Sequence, residues 1–208
     1  MARVLGAKCR LCRREGERLY LKGARCHTVK CGVAKRAYPP GMHSFRRSRL
    51  SDYGIRLREK QKTKRIYGVC EKPFRTYFKE AVRQKGNTGD NLLVLLERRL
   101  DNVVHLLGFA DGRVQARHFI SHGHVLVNGR KVDIASYLVK PGMTISVSTK
   151  KKSQKLIRER MEANKGQTVP GWLTADLKKL EGNVVRMPAR EDVILPIQDS
   201  YIVEFCSR

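Results

Sequence analysis

Acidic residues are scarce in this chain: 19 Asp and Glu stand against 44 Lys and Arg among 208 residues, leaving a formal charge of +25. The deficit is uneven, for the first fifty residues hold 14 Lys/Arg and only 2 Asp/Glu. A surface facing water ordinarily mixes signs, and a free protein with so large an excess repels itself. Neutralisation by a polyphosphate, with release of its counterions, removes that repulsion. No long amphipathic helix with a bulky apolar face accompanies the basic run, which places nucleic acid ahead of a membrane surface. Long hydrophobic runs are missing too. The longest is Leu92 to Leu96, far below the ~20 residues that a membrane span requires. The opening Met1-Ala2-Arg3-Val4-Leu5-Gly6 lacks the apolar core of a signal peptide, so a cytoplasmic location is expected, with no membrane partner. Catalytic signatures are absent as well: there is no G-x-S-x-G elbow, no glycine-rich phosphate loop ending in Lys-Ser/Thr, no H-E-x-x-H and no dinucleotide fingerprint. Nothing nominates a catalytic residue, and the chain reads as a non-enzyme with no small-molecule substrate.

What is present is a set of four cysteines, Cys9, Cys12, Cys26 and Cys31, spaced C-x2-C-x13-C-x4-C inside the arginine-rich segment. In a reducing cytosol such thiols read as ligands rather than disulfides. Ligand pairs two to four residues apart suit a tetrahedral zinc site, closed and structural with four thiolates. An iron–sulfur cluster also takes four thiolates, and spacing alone leaves it open. His27 and His43 are substitute ligands. Residues 1–50 show little hydrophobic periodicity, so a metal is the expected organiser of a segment with almost no core. Cys70 and Cys206 lack partners at ligand spacing and read as packing residues.

After the turn signal Tyr38-Pro39-Pro40-Gly41, Ser51 or Asp52 caps an expected helix reaching Tyr67. Basic residues cover much of its circumference, which suits a helix lying against phosphates; the alternative is a solvent-exposed helix held by Ile55, Leu57 and Ile66. Phe74, Tyr77, Phe78, Ala81 and Val82 fall at helical spacing as a core-facing stripe. Asp90 opens a third expected helix carrying Leu92 through Leu107 to the stop at Gly108, and a short fourth spans Arg113 to His122. Val125-Leu126-Val127 and Arg130-Lys131-Val132 flank Asn128-Gly129, a strong hairpin signal. Met143, Ile145 and Val147 alternate as a half-buried strand. A helix from Lys150 to about Asn164 follows, and Val184-Val185, Val193-Ile194-Leu195 and Tyr201-Ile202-Val203 read as strands, the middle one an edge because of Pro196. The expected fold class is α+β. Its parts are a metal-stapled N-terminal segment over 1–45, a helical domain over 46–97 joined by a returning segment from about 166–208, and a module of two helices and a small antiparallel sheet over 98–165.

Residues 98–148 resemble an RNA-binding module, named after small-subunit ribosomal protein S-four, through Arg99-Leu100-Asp101-Asn102-Val103-Val104, Gly108-Phe109-Ala110, Arg113, Ala116-Arg117 and His122-Gly123-His124 leading into Val127-Asn128-Gly129. Cys9-Arg10-Leu11-Cys12, Tyr38-Pro39-Pro40-Gly41-Met42-His43, Asp52-Tyr53-Gly54 and the ending Ile202-Val203-Glu204-Phe205-Cys206-Ser207-Arg208 extend the resemblance to the bacterial family of that ribosomal protein over the whole chain. The resemblance implies a primary binder of small-subunit rRNA (16S) at a multi-helix junction of the 5′ domain, acting early in assembly of the subunit body. It implies neighbours S-five and S-twelve, proximity to the path by which mRNA enters, an influence on decoding accuracy and, for some members, repression of their own operon. It also implies that the cysteine-bearing form binds zinc. A free RNA-binding regulator or ribosome-rescue factor using the same module is the alternative. Gly112 stands where the module usually has a capping Ser or Thr, and His118 where Gln is common; Asp111 is expected to cap the helix one residue early.

RNA helices hide their major-groove edges, so shape, phosphates and 2′-hydroxyls carry recognition. The expected RNA-binding residues are Arg46, Arg47, Arg49, Arg56, Arg58, Lys60, Lys62 and Arg65 from the first platform. The module adds Arg113, Arg117, His122, Asn128 and Lys131. Their role is electrostatic positioning, with arginine bridging phosphates in bidentate fashion.

Overall fold

Ser51 fixes the start of a 16-residue helix: its backbone is extended and its hydroxyl accepts from the Gly54 N–H at 3.2 Å. In this computed structural model, which describes residues 6–42, 50–163 and 168–207, the chain divides into two compact units. One comprises Met1–Leu92 with Leu195–Arg208, the other Leu93–Ile194.

The first unit begins with α1 (Lys8–Glu15), a 3-10 turn over Gly23–His27, and the single turn α2 (Gly32–Lys35). The capped helix is α3 (Asp52–Tyr67), stopped by Gly68 in the left-handed region, as glycine permits. Next come α4 (Glu71–Arg83) and α5 (Thr88–Glu97), the latter crossing the division between units. Phe74, Phe78 and Ala81 of α4 are buried as the helical stripe requires, Tyr77 is half-buried and Val82 is exposed. The chain ends in α9 (Asp199–Cys206), which lies along α3. Phe205 meets Tyr53 with ring centroids 5.3 Å apart. The strand expected at Tyr201-Ile202-Val203 is therefore a helix. A short apolar run does not distinguish the two by itself, and here Ile202 is buried while Asp199 occupies the first turn.

The second unit is built on an antiparallel sheet ordered β2-β1-β3-β5-β4, so the expected mixed architecture is observed. β1 (Val125–Val127) and β2 (Arg130–Lys131) form the hairpin around Asn128-Gly129, both at positive φ. β3 (Thr144–Val147) pairs with β1 and with β5 (Glu181–Val184), and β4 (Leu173–Asp176) closes the far edge. Residues 173–184 thus belong to this sheet, and of the returning segment expected from about 166–208 only Leu195–Arg208 joins the helical unit. Val193-Ile194-Leu195 is not a strand: a 3-10 turn over Arg190–Asp192 precedes it and Arg186 clamps Asp192 at 2.7 Å. The core gathers Val104, Leu107, Phe109, Phe119 and Ile120 with Val125, Ile145, Ile157 and Trp172. These come from α6 (Leu100–Leu106), α7 (Arg113–Ser121), α8 (Lys151–Ala163), the sheet and adjoining turns.

The single helix expected from Asp90 to Leu107 is two helices, broken at Arg98-Arg99. The break follows from pairing with a distant loop. Val139 N–H donates to Arg98 O at 2.9 Å, Leu100 N–H to Tyr137 O at 2.8 Å, and Asp101 N–H to Ala135 O at 3.1 Å. A continuous helix would use those groups internally. The break is locked by a buried ion pair, Arg99 to Asp101 at 2.6 Å with both side chains 3% exposed. Asn102 reinforces it, donating to the Glu97 carboxylate at 2.7 Å while its carbonyl accepts from Arg113 Nε at 2.8 Å.

Beside this network lies His105, whose Nδ1 donates to Ala110 O at 3.1 Å. Burial, aided by the Arg113 charge, holds the imidazole down at about 4 from its usual 6.5. The folded state therefore favours neutral His105, and the unfolded chain takes up the proton first. This stabilisation is complete above about pH 6.5 and is lost as pH falls toward 4. Over that window it amounts to about 3 kcal/mol. Urea unfolding of wild type and His105→Gln should show the wild type losing that much more stability between pH 7 and 4. Parallel pH profiles would exclude a buried neutral imidazole as the source.

Candidate nucleic-acid interface and cysteine cluster

The six basic residues of α3 all have carboxylate partners. Arg56 pairs with Glu204, Arg58 and Arg65 with Glu15, Lys60 and Lys64 with Glu71, and Lys62 with Glu59 and Glu17. Lys60 and Lys62 are 5% and 6% exposed, and Lys60 also stands over the Phe205 ring at 4.8 Å. Glu71 is the hub of one cluster: burial favours its neutral form, but hydrogen bonds from Lys60, Lys64 and Arg75 prevail and hold its carboxyl at about 2. Glu15, with a side chain 2% exposed, is the hub of another. The sequence pattern lays all these cations against phosphate. Instead Lys60 and Lys62 are enclosed and neutralised within the chain, while Arg56, Arg58, Lys64 and Arg65 are partly exposed and retain a path outward. Of the carboxylates responsible, Glu59 lies in the helix three residues before Lys62, whereas Glu15, Glu17, Glu71 and Glu204 lie outside it, where helical periodicity alone could not reveal them. Arg46, Arg47, Arg49 and the substitute ligand His43 fall outside the described residues.

In the second unit the expected residues spread over the hairpin and α7. Arg113 is half-buried and tied to Asn102; Arg117 is half-buried. The carbonyl of Asn128 accepts from Thr144 N–H at 2.8 Å, so that group serves the hairpin. His122 is exposed and stacks beside His118 and His124, with centroids 6.4 and 6.2 Å away. Lys131 runs across Gly123, where any side chain would collide with its methylenes. Burial, with the charges of His122 and Lys150, lowers His124, whose Nδ1 lies 2.9 Å from Ser153 Oγ. His122, His124, Lys131 and Lys150 therefore gather at the end of α7 and the start of α8. Lys150, Lys151 and Lys152 form no ion pair with any described residue. Sequence reasoning marks that lysine run only as the opening of a helix; its position at a helix N-terminus is the missed signal, since that end already attracts phosphate. Gly112 takes the N-cap position of α7; the Asp111 carboxylate before it lies 3.7 Å from Arg160, and the Asp111 N–H donates to Gln115 Oε1 at 2.8 Å.

The four cysteines share one pocket. Cys9, Cys12, Cys26 and Cys31 line one cavity of about 10 Å3, room for about one atom-sized guest. Lys22 N–H donates to Cys26 Sγ at 3.4 Å. Burial pushes the Cys12 thiol up, opposed by the Leu19 N–H and aided by its three cysteine neighbours. The N–H groups of Ala34 and Val33, at α2, pull Cys31 down. Gly32 makes the close approach possible, for a β-carbon there would stand 2.7 Å from Cys9 Cβ and 3.1 Å from its sulfur. The donor set and its N–H···S bonds fit a soft four-thiolate ion. All six cysteines are free thiols, and among the described residues no three or more His, Cys, Asp or Glu are drawn together closely enough to grip an ion.

Among the described residues no helix is long and apolar enough to cross a membrane. Residues 3–97 match the family described as Ribosomal protein S4/S9 N-terminal domain, and residues 98–145 match the S4 domain. The chain is 56% identical over 208 residues to small ribosomal subunit protein uS4 of Halothermothrix orenii, and 56% identical over 208 residues to uS4A of Alkaliphilus metalliredigens. It is 53% identical over 209 residues to uS4 of Thermus thermophilus. In each case the match covers 100% of both chains.

Proposed function

The chain belongs to the uS4 family of small ribosomal subunit proteins, and from that premise we infer that it is a structural, non-catalytic component of the small subunit in the cytoplasm that binds small-subunit rRNA. The observation that carries the reading is the family match over the full length. The charge distribution agrees with it: with the α3 cations paired, exposed cations without an ion pair among the described residues include Arg10, Arg36, Lys131 and Lys150. Such groups hold RNA through its backbone, with affinity that falls as salt releases the electrostatic contribution.

On this reading the protein sits at a junction of several RNA helices in the 5′ domain and nucleates the subunit body. Its neighbours are S-five and S-twelve, near incoming mRNA, where it influences decoding accuracy. Arg56, Arg58, Arg65, Arg113, Arg117 and Lys131 position RNA, while Lys60 and Lys62 stabilise the helix that presents them. Cys9, Cys12, Cys26 and Cys31 hold one zinc ion, a choice supported by the donor chemistry and the single-atom cavity. The zinc contributes folding free energy and no reaction step.

The test is sedimentation. Tagged protein should stay with small subunits through a high-salt wash and move with the subunit peak. Release into the free fraction under mild washing would favour a dissociable regulator over a resident structural protein.

A further inference from the structure

An open cleft of about 580 Å3 lies beside α1, lined by Arg10, Arg13, Arg36, Tyr38, Pro40 and Gly41 among others. Its volume falls in the ~300–1,000 Å3 range of small-ligand sites. Among the described residues no acidic side chain lines it. The carboxylate at the end of α1, Glu15, is turned to Arg58 and Arg65 instead. Arg10 and Arg36 form no ion pair or side-chain hydrogen bond with any described residue. Two exposed cations thus face a cleft with nothing among the described residues to neutralise them.

Tyr38 is held ready on the same wall. The Arg13 guanidinium stands over its ring at 4.8 Å. Arg13 is itself fixed, donating through Nε to Tyr38 O at 2.9 Å and through Nη2 to Pro39 O at 3.4 Å. Arg14 adds a bond to Pro40 O at 3.4 Å. The Pro39-Pro40 pair stiffens this wall, so little ordering remains for a ligand to impose. A flat, pinned aromatic–guanidinium pair next to two unneutralised arginines is complementary to one chemical unit: a planar base joined to a phosphate.

We propose that the Arg10–Arg36–Tyr38 cleft receives a single unpaired nucleotide of the rRNA, its base stacked on the Tyr38–Arg13 pair and its phosphates between Arg10 and Arg36. The inference rests on the rRNA reading above and adds a base-stacking subsite to a surface otherwise limited to backbone contacts.

The test measures affinity of the full-length protein for small-subunit rRNA across a salt series. Tyr38→Leu should lose about 5- to 150-fold in affinity with the salt slope unchanged, because stacking is lost and no phosphate contact is. Tyr38→Phe keeps the ring and should bind like wild type, which separates stacking from a folding defect. Arg10→Ala with Arg36→Ala should flatten the slope by about two units. Ultraviolet irradiation of the wild-type complex should give a nucleotide adduct on the peptide containing Tyr38. Tyr38→Leu binding as tightly as wild type, or losing affinity only together with its fold while Tyr38→Phe loses as much, overturns the cleft alone. Wild-type protein without salt-dependent affinity for the RNA overturns the rRNA reading and the cleft with it.

Discussion

Cys26→Ser should leave residues 6–42 without a stable fold while residues 93–194 keep theirs. The N-terminal segment has few buried apolar side chains; three of them are Cys12, Cys26 and Cys31 themselves, with Leu19 the main exception. A structural four-thiolate zinc site contributes on the order of 10 kcal/mol of folding free energy, and no comparable store of hydrophobic burial is available here to replace it. Three thiolates and a hydroxyl bind the ion far less well. Limited proteolysis should therefore cut the variant within the first forty residues and spare the sheet domain. If the cysteines hold the proposed zinc, elemental analysis should fall from one zinc per chain in the wild type to well below one in the variant. Equal protection of the N-terminus in both proteins would mean that the cysteines are not its organiser, and iron with visible absorption would replace zinc by a cluster on the same ligands.

Arg99→Ala should destabilise the sheet domain by about 3–5 kcal/mol, the range for breaking a buried ion pair by removing one partner. The Asp101 carboxylate would stay enclosed, losing both guanidinium bonds and keeping the Asn102 N–H at 3.0 Å. The same loss would loosen the break between α5 and α6 that pins Arg98 and Leu100 to the 135–139 loop. A double substitution, Arg99→Met with Asp101→Leu, removes both charges together and should recover most of the stability. Urea unfolding of the three proteins checks this. A single variant within about 1 kcal/mol of wild type would show that the pair is not what secures the break.

These two sites mark where the sequence is legible and where it is not. Local signals work where the cause is local. Ser51 announces α3, Asn128-Gly129 announces the hairpin, and the alternation Met143, Ile145, Val147 announces β3. The four cysteines line one cavity, and the ion they would hold is a proposal. The helix break at Arg98-Arg99 is hidden because its hydrogen-bond partners lie far along the chain, around Val139. The α9 helix is hidden because three apolar, partly β-branched residues carry no period. Most consequential is α3. Its basic residues are visible, but Glu15, Glu71 and Glu204, which neutralise them, are brought in by the fold. Charge read along a sequence overstates the charge a surface presents. Discounting the enclosed Lys60 and Lys62 extends the expected contact surface toward Arg10, Arg36, Lys131 and Lys150.

The most direct test of the rRNA-binding role is a titration of the purified chain with small-subunit rRNA and with an unrelated structured RNA of equal length, repeated over a series of salt concentrations. Binding to both should weaken linearly in log–log form as salt rises, with the small-subunit rRNA preferred at every concentration and the preference growing as the electrostatic share is screened. Equal affinity for the two RNAs throughout the series would contradict a dedicated small-subunit role and leave only a cationic protein that binds any polyphosphate.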